Sequence, residues 1–134
     1  MDCIFCKIIA KEAPAHIVYE DAAAVAILDM RPRAPGHTMV LPRPHAATIL
    51  EAERDALCPL FQAVRETVRL LSRTLAPDGF TIGINHGKVS GQVIEHLHVH
   101  IIPRYQGDGG GSLHSIVMNP PKESLDEVQK KIVP

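Results

Sequence analysis

Three histidines stand within five residues, His96-Leu97-His98-Val99-His100, followed by Ile101 and Ile102. The alternation of polar and apolar residues has period two. On an extended chain His96, His98 and His100 therefore share one face, and Leu97, Val99 and Ile101 the other. Same-face neighbours sit roughly 6.5–7 Å apart along a strand. The apolar face must pack on a core, which turns the imidazoles toward a cleft or solvent. Such a row can chelate a metal ion, three imidazoles with a carboxylate suiting zinc or iron. Alternatively, one imidazole serves as a nucleophile near neutral pH while its neighbours hold an anion. The segment just upstream, Asn85-His86-Gly87-Lys88-Val89-Ser90-Gly91-Gln92, favours the second chemistry. Its glycines let backbone N–H groups approach an anion closely.

The elements that must position these residues are legible in outline. Short strands are predicted over residues 16–20, 24–28 and 37–41, with breaks at Glu20-Asp21 and across Arg31-Pro32-Arg33-Ala34-Pro35-Gly36. Leu57, Leu60, Phe61, Val64, Val68, Leu71 and Leu75 recur at steps of three and four, which predicts one long helix over residues 53–75. Pro59 is tolerated only near a helix start, so a late start or a bend is expected there. Cys58, on the same helix, reads as a buried small hydrophobe. A short helix over residues 3–10, capped by Asp2, presents Ile4, Phe5, Ile8 and Ile9 as an apolar face. Further strands are predicted over 80–85 and 93–104. Residues 106–112 read as flexible, and Ser124-Leu125-Asp126-Glu127 as the capping box of a last short helix. The sum is an α+β fold, a five-stranded antiparallel sheet with one long and one short N-terminal helix. It occupies residues 1–104, with 105–134 as a tail.

Composition bounds the function. At 134 residues and 14.6 kDa there is room for one domain of ordinary size. Fourteen Lys and Arg against fifteen Asp and Glu give a net charge of −1, which excludes a strongly basic nucleic-acid surface. No apolar run spans a bilayer, so no membrane partner is expected. The opening residues Met1-Asp2-Cys3-Ile4-Phe5-Cys6-Lys7 lack the basic-then-apolar pattern of a secretory signal. Three cysteines, an odd count, argue against a disulfide framework and for a reducing, cytoplasmic location.

The histidine row with its upstream Asn and Gly-Gln resembles the signature of the histidine triad (HIT) superfamily of nucleotide hydrolases and transferases. Cys3-Ile4-Phe5-Cys6-Lys7-Ile8-Ile9 resembles the family's opening helix, and Ala26-Ile27-Leu28-Asp29 its nucleoside-contacting strand. Gly36-His37-Thr38-Met39-Val40-Leu41-Pro42-Arg43-Pro44-His45 resembles its central strand. The resemblance implies a nucleotidyl hydrolase acting at the α-phosphorus of nucleoside 5'-phosphoramidates or dinucleoside polyphosphates. His98 would attack and carry a nucleotidyl-histidine intermediate, its second nitrogen held by the carbonyl of His96. His100 would bind the phosphate oxygens, with Asn85 and the backbone around Gly91, Gln92 and Val93 as further donors. Gln92 resembles the residue that one branch uses near the scissile bond, and so joins His98 and His100 as a catalytic candidate. Asp29 would accept ribose hydroxyls, and Ile4, Phe5, Ile8, Ile27 and Met30 would wall the base. Two features depart from the phosphoramidase branch: Val93 stands where that branch has Ser, and the chain has no Trp.

Cys3 and Cys6 alone read as core residues. The resemblance adds His45 and His96 to them as a structural zinc set, two thiolates and two imidazoles with no open coordination place. No organic cofactor is expected. The family also implies a homodimer with a continuous sheet across the two copies. An alternative function is a nucleotide-binding regulatory module with incidental turnover. A third reading, a metal-dependent enzyme with an ion at His98 and His100, follows from the triad as ligands.

Overall fold

The computed structural model describes residues 2–134; Met1, the first residue of the stretch read for an export signal, lies outside them. Helix α1 (Ile4–Ile9) is followed by strands β1 (Ile17–Glu20), β2 (Ala24–Leu28) and β3 (Thr38–Pro42). Helix α2 (Arg54–Leu75), strands β4 (Gly79–Gly83) and β5 (Val99–Arg104) and helix α3 (Leu125–Ile132) complete the order. The strands form one five-stranded antiparallel sheet, as expected; their order is β1-β2-β3-β5-β4, in which β3 pairs with β5 across the α2–β4 crossover.

Alternation along the strands sorts the core into two layers. Ala24, Ala26, Val40, Val99 and Ile101 face Leu60, Ala63, Val64 and Leu71 of α2. Val25, Ile27, Met39 and Leu41 face Cys3, Phe5 and Ile8 at the opposite surface. The central strands are buried on both sides, which fixes their register, since a slip of one residue would exchange the layers.

Several expectations need correction. The fifth strand begins at Val99, not at 93, so His96 and His98 precede it. The His96 carbonyl accepts from the His98 ring and the Leu97 N–H donates to Ala46 O at 2.7 Å, so neither is left for a ladder. Helix α1 is capped by Cys3, whose Sγ accepts from the Cys6 N–H, while Asp2 instead pairs with Lys7 at 2.6 Å. Helix α2 starts at Arg54 and runs through Pro59 without a late start. Its inner face is also shifted: Ala63 and Thr67 are buried where Phe61 and Leu75 are exposed. Cys58 lies on the outer side and is exposed, so it is not a core residue.

The run after Tyr105 is pinned rather than free. Arg104 donates to Asp108 at 2.8 Å, to Gly111 O at 2.6 Å and to Thr81 Oγ1 at 3.0 Å. Asp108 also accepts from the N–H groups of Gly110 and Tyr105, and the Arg104 guanidinium, helped by these two donors, holds its carboxyl far below the usual range. The Ser124–Glu127 capping box forms as predicted and starts α3.

Candidate active site and metal cluster

The three histidines lie on the α1 side of the sheet, and each ring is held in a different way. His98 is 7% exposed and donates from Nδ1 to the His96 carbonyl at 2.7 Å. A carbonyl only accepts, so the proton is on Nδ1 and the Nε2 lone pair is bare. Phe5 meets the His98 ring edge-on, centroids 5.2 Å apart, which limits its rotation. The His100 ring lies 5.0 Å from that of His98.

His100 is governed by a residue that the sequence reading passed over. His37 is 4% exposed, its Nδ1 accepts from the Arg33 N–H at 3.1 Å, and its Nε2 lies 2.9 Å from His100 Nδ1. The backbone donor requires the His37 proton to sit on Nε2, which then donates to His100 Nδ1. His100 in turn carries its proton on Nε2. Backbone, His37 and His100 thus form a directed chain that ends in an N–H donor. Burial pushes His100 down to about 4, aided by His98 and His37, so this donor is a neutral ring at ordinary pH. Burial lowers His37 likewise. The signal for His37 is the strand register: Met39 pairs with His100, which brings the residue two before Met39 diagonally beside that ring.

Asp29 completes this end. One oxygen accepts from the Arg31 N–H at 2.8 Å; the other lies 3.4 Å from His37 Nε2 and 3.8 Å from His100 Nδ1. An open cleft of about 480 Å³ lined by Asp29, Pro32, Arg33 and His37 adjoins it. Of the residues expected to wall a base, Phe5, Ile8 and Ile27 are core members, whereas Ile4 and Met30 stand at the surface.

The Gly-rich segment forms a single 3₁₀ turn over Lys88–Ser90, flanked by Gly87 at φ 84° and Gly91 at φ 100°. A side chain at either position would be strained in this left-handed region. The Asn85 amide lies against Gly91, within 4 Å of where a Cβ would stand. Two of the expected backbone donors are already used: the Gly91 N–H bonds Lys88 O and the Gln92 N–H bonds Gly87 O. Gln92 is buried, and its side chain binds the protein itself: Oε1 accepts from Gly87 N–H, while Nε2 donates to Ala47 O and Ile94 O. Val93 is exposed.

A second cluster lies behind the first. Cys3 Sγ and Cys6 Sγ are each 3.6 Å from His96 Nδ1; Cys6 Sγ is 3.3 Å from His45 Nδ1, and the two Nδ1 atoms are 3.2 Å apart. Zinc bonds of about 2.3 Å to sulfur and about 2.0 Å to nitrogen set the corners of a tetrahedron roughly 3.3–3.8 Å apart. These four separations, 3.2–3.6 Å, lie close to that spacing, and all four donor atoms are within 4.8 Å of one another. His96 donates from Nε2 to Pro42 O at 2.8 Å, which leaves Nδ1 free to coordinate, and burial keeps this ring neutral. Burial and the neighbouring Cys3 push the Cys6 thiol up, the reverse of what a bound cation would do. These residues fit a zinc ion. Asp29, His37 and His100 also lie within chelating distance of one another. They fit poorly, because the Arg33 N–H keeps the His37 proton on the nitrogen that would have to coordinate.

Comparison with known proteins agrees with this geometry. The sequence profile of the HIT domain matches residues 10–107. The chain belongs to the HIT family. It is 47% identical over 130 residues to an uncharacterised HIT-like protein of Methanocaldococcus jannaschii, covering 97% of this chain and 98% of that one. An adenylylsulfatase of Arabidopsis thaliana is 36% identical over 107 residues, covering 80% of this chain and 54% of the plant protein. The crystal structure of a HIT family member from Bacillus subtilis superposes with a TM-score of 0.85 at 35% identity, covering 98% of this chain and 93% of that one. A zinc-bound histidine triad protein of Mycobacterium smegmatis superposes with a TM-score of 0.76 at 31% identity, covering 92% and 85%. No helix among the described residues of this HIT protein is long and apolar enough to cross a membrane.

Proposed function

We propose that this HIT protein is a nucleotidyl hydrolase that cleaves at the α-phosphorus of nucleoside 5'-phosphoramidates or dinucleoside polyphosphates. The observation that carries the reading is the 2.7 Å contact from His98 Nδ1 to the His96 carbonyl, which presents a bare Nε2 in a buried site. In the first step Nε2 bonds to phosphorus as the bond to the leaving group breaks, and the leaving group departs with the electron pair and takes up a proton. Water then attacks the nucleotidyl-histidine, which releases the nucleoside monophosphate and restores the ring. His100, donating from Nε2, stabilises the phosphoryl oxygens together with the Asn85 amide and the Val93 N–H. Asp29 accepts the ribose hydroxyls, and Phe5, Ile8 and Ile27 back the base while Ile4 and Met30 flank it.

Cys3, Cys6, His45 and His96 would hold a structural zinc, which supplies rigidity rather than chemistry because all four places are filled by protein. The Arabidopsis relative named an adenylylsulfatase supports an adenylyl group with an acidic leaving group. We assign the protein to the cytoplasm as a homodimer, consistent with its free cysteines and the exposed Phe61 and Leu75 on α2. Mass spectrometry of the protein quenched during turnover of adenosine 5'-phosphoramidate tests the mechanism. A nucleotidyl adduct on the peptide carrying His98 is expected; an adduct elsewhere, or none with any substrate that turns over, overturns it.

A further inference from the structure

The Gln92 amide makes three hydrogen bonds, and all of them are to backbone. Oε1 accepts from Gly87 N–H at 2.9 Å, and Nε2 donates to Ala47 O at 2.7 Å and to Ile94 O at 3.1 Å. The orientation of the amide is fixed, since an N–H only donates and carbonyls only accept. The backbone repeats the link, with the Gln92 N–H on Gly87 O at 3.2 Å. Residues 87–92 are therefore closed into a ring, and one side chain ties that ring to the strand exit at Ala47. Ala47 follows Ala46, whose carbonyl receives the Leu97 N–H at 2.7 Å. The same short segment thus braces both the Gly-rich loop and the histidine row. With both amide N–H groups given to backbone carbonyls and its side chain buried, Gln92 has no donor left for a leaving group.

We infer that Gln92 is a positioning residue, a bracket that sets the Gly-rich loop around the phosphate, and that it acts on every substrate equally. The inference rests on the nucleotide reading given above. It differs from the resemblance, which places this residue near the scissile bond. Removing the bracket frees the Gly87 N–H and two carbonyls, lets the loop open, and scatters the donors that meet the phosphate. None of the three bonds involves Asp29 or the apolar residues proposed to meet the nucleoside, so its recognition is untouched.

The test compares the wild-type protein with Gln92→Met, which keeps the length and loses the amide, and with Gln92→Asn, which keeps the amide one methylene short. Affinity for adenosine monophosphate should fall about tenfold in both variants, with that for adenosine held within about twofold. The kcat/KM values for a phosphoramidate, a phosphosulfate and a dinucleoside polyphosphate should fall by a common factor. Amide exchange over residues 86–91 should quicken in the variants while that of β2 and β3 stays at the wild-type rate, which separates loop opening from poor folding. Unchanged monophosphate affinity with a loss confined to one leaving group would overturn the inference, as would unchanged exchange. Failure of the wild-type protein to bind the monophosphate would instead strike the nucleotide reading, and the exchange arm would still judge the bracket.

Discussion

His96 offers its ring to one site and its carbonyl to another: Nδ1 faces the two cysteine sulfurs at 3.6 Å, and O accepts from His98 Nδ1 at 2.7 Å. Whatever steadies the ring of His96 therefore steadies the atom that selects the tautomer of His98. A residue shared in this way makes the geometry of the cysteine cluster and the orientation of the His98 ring physically continuous, because both contacts hang from one residue.

Replacing His98 by Ala should lower turnover on the order of 10³-fold or more, since nothing else in the site presents a bare buried nitrogen. Binding of adenosine monophosphate should survive. Steady-state kinetics with calorimetry of product binding checks both halves, and a variant with near-normal turnover would refute the assignment.

Cys3→Ser should lower the melting temperature by roughly 5 °C or more and reduce turnover only secondarily. The cap on α1 and the metal donor set are lost together, yet the His98 ring keeps its carbonyl partner. Metal analysis beside thermal melts, with and without chelator, measures this. If chelator leaves the wild-type melting point unmoved and Cys3→Ser and Cys6→Ser melt with the wild type, no zinc is held there.

His37 should matter through His100. His37→Leu removes the donor that fixes the proton on His100 Nε2, so kcat should fall on the order of 10–100-fold while KM moves little. His37→Gln can still accept from the Arg33 N–H and donate to His100, and should recover most of the loss. Equal damage from Leu and Gln would point to packing alone.

Acid should destabilise the metal-free protein in a defined window. His100 titrates near 4 when folded and near the ordinary histidine value of about 6.5 when unfolded, so between these limits the unfolded chain binds more protons. Stability accordingly rises with pH through the window and is fully present above it; His37 and His96, also lowered by burial, add in the same direction. Urea midpoints at pH 7, 5.5 and 4.5 (chosen to bracket the window, about 6.5 to 4) should fall in that order. The fall should be shallower in His100→Asn.

Much of this was legible from residue types alone. Period-two alternation gave the shared face of the histidines, and the buried helix stripe gave α2, because both patterns are local. The limits of β5 were not, since the Leu97 N–H leaves the ladder for Ala46, a partner fifty-one residues earlier in the chain. His37 was missed for the same reason: its importance arises from a cross-strand diagonal that no window on the sequence contains. Cys58 misled because a cysteine among leucines looks buried until the helix is rotated into place. The role of Gln92 was hidden by chemistry, as an amide suits a ligand and a loop equally well until its partners are known.

The Arg104–Asp108 clamp has a consequence for how the molecule comes apart. Its carboxylate stays ionised to far lower pH than the imidazoles stay neutral. On gradual acidification the histidine cluster gains charge first, with the turn after β5 still fastened. The turn that stays fastened is thus built on a guanidinium and a carboxylate, neither of which changes charge in the histidine window.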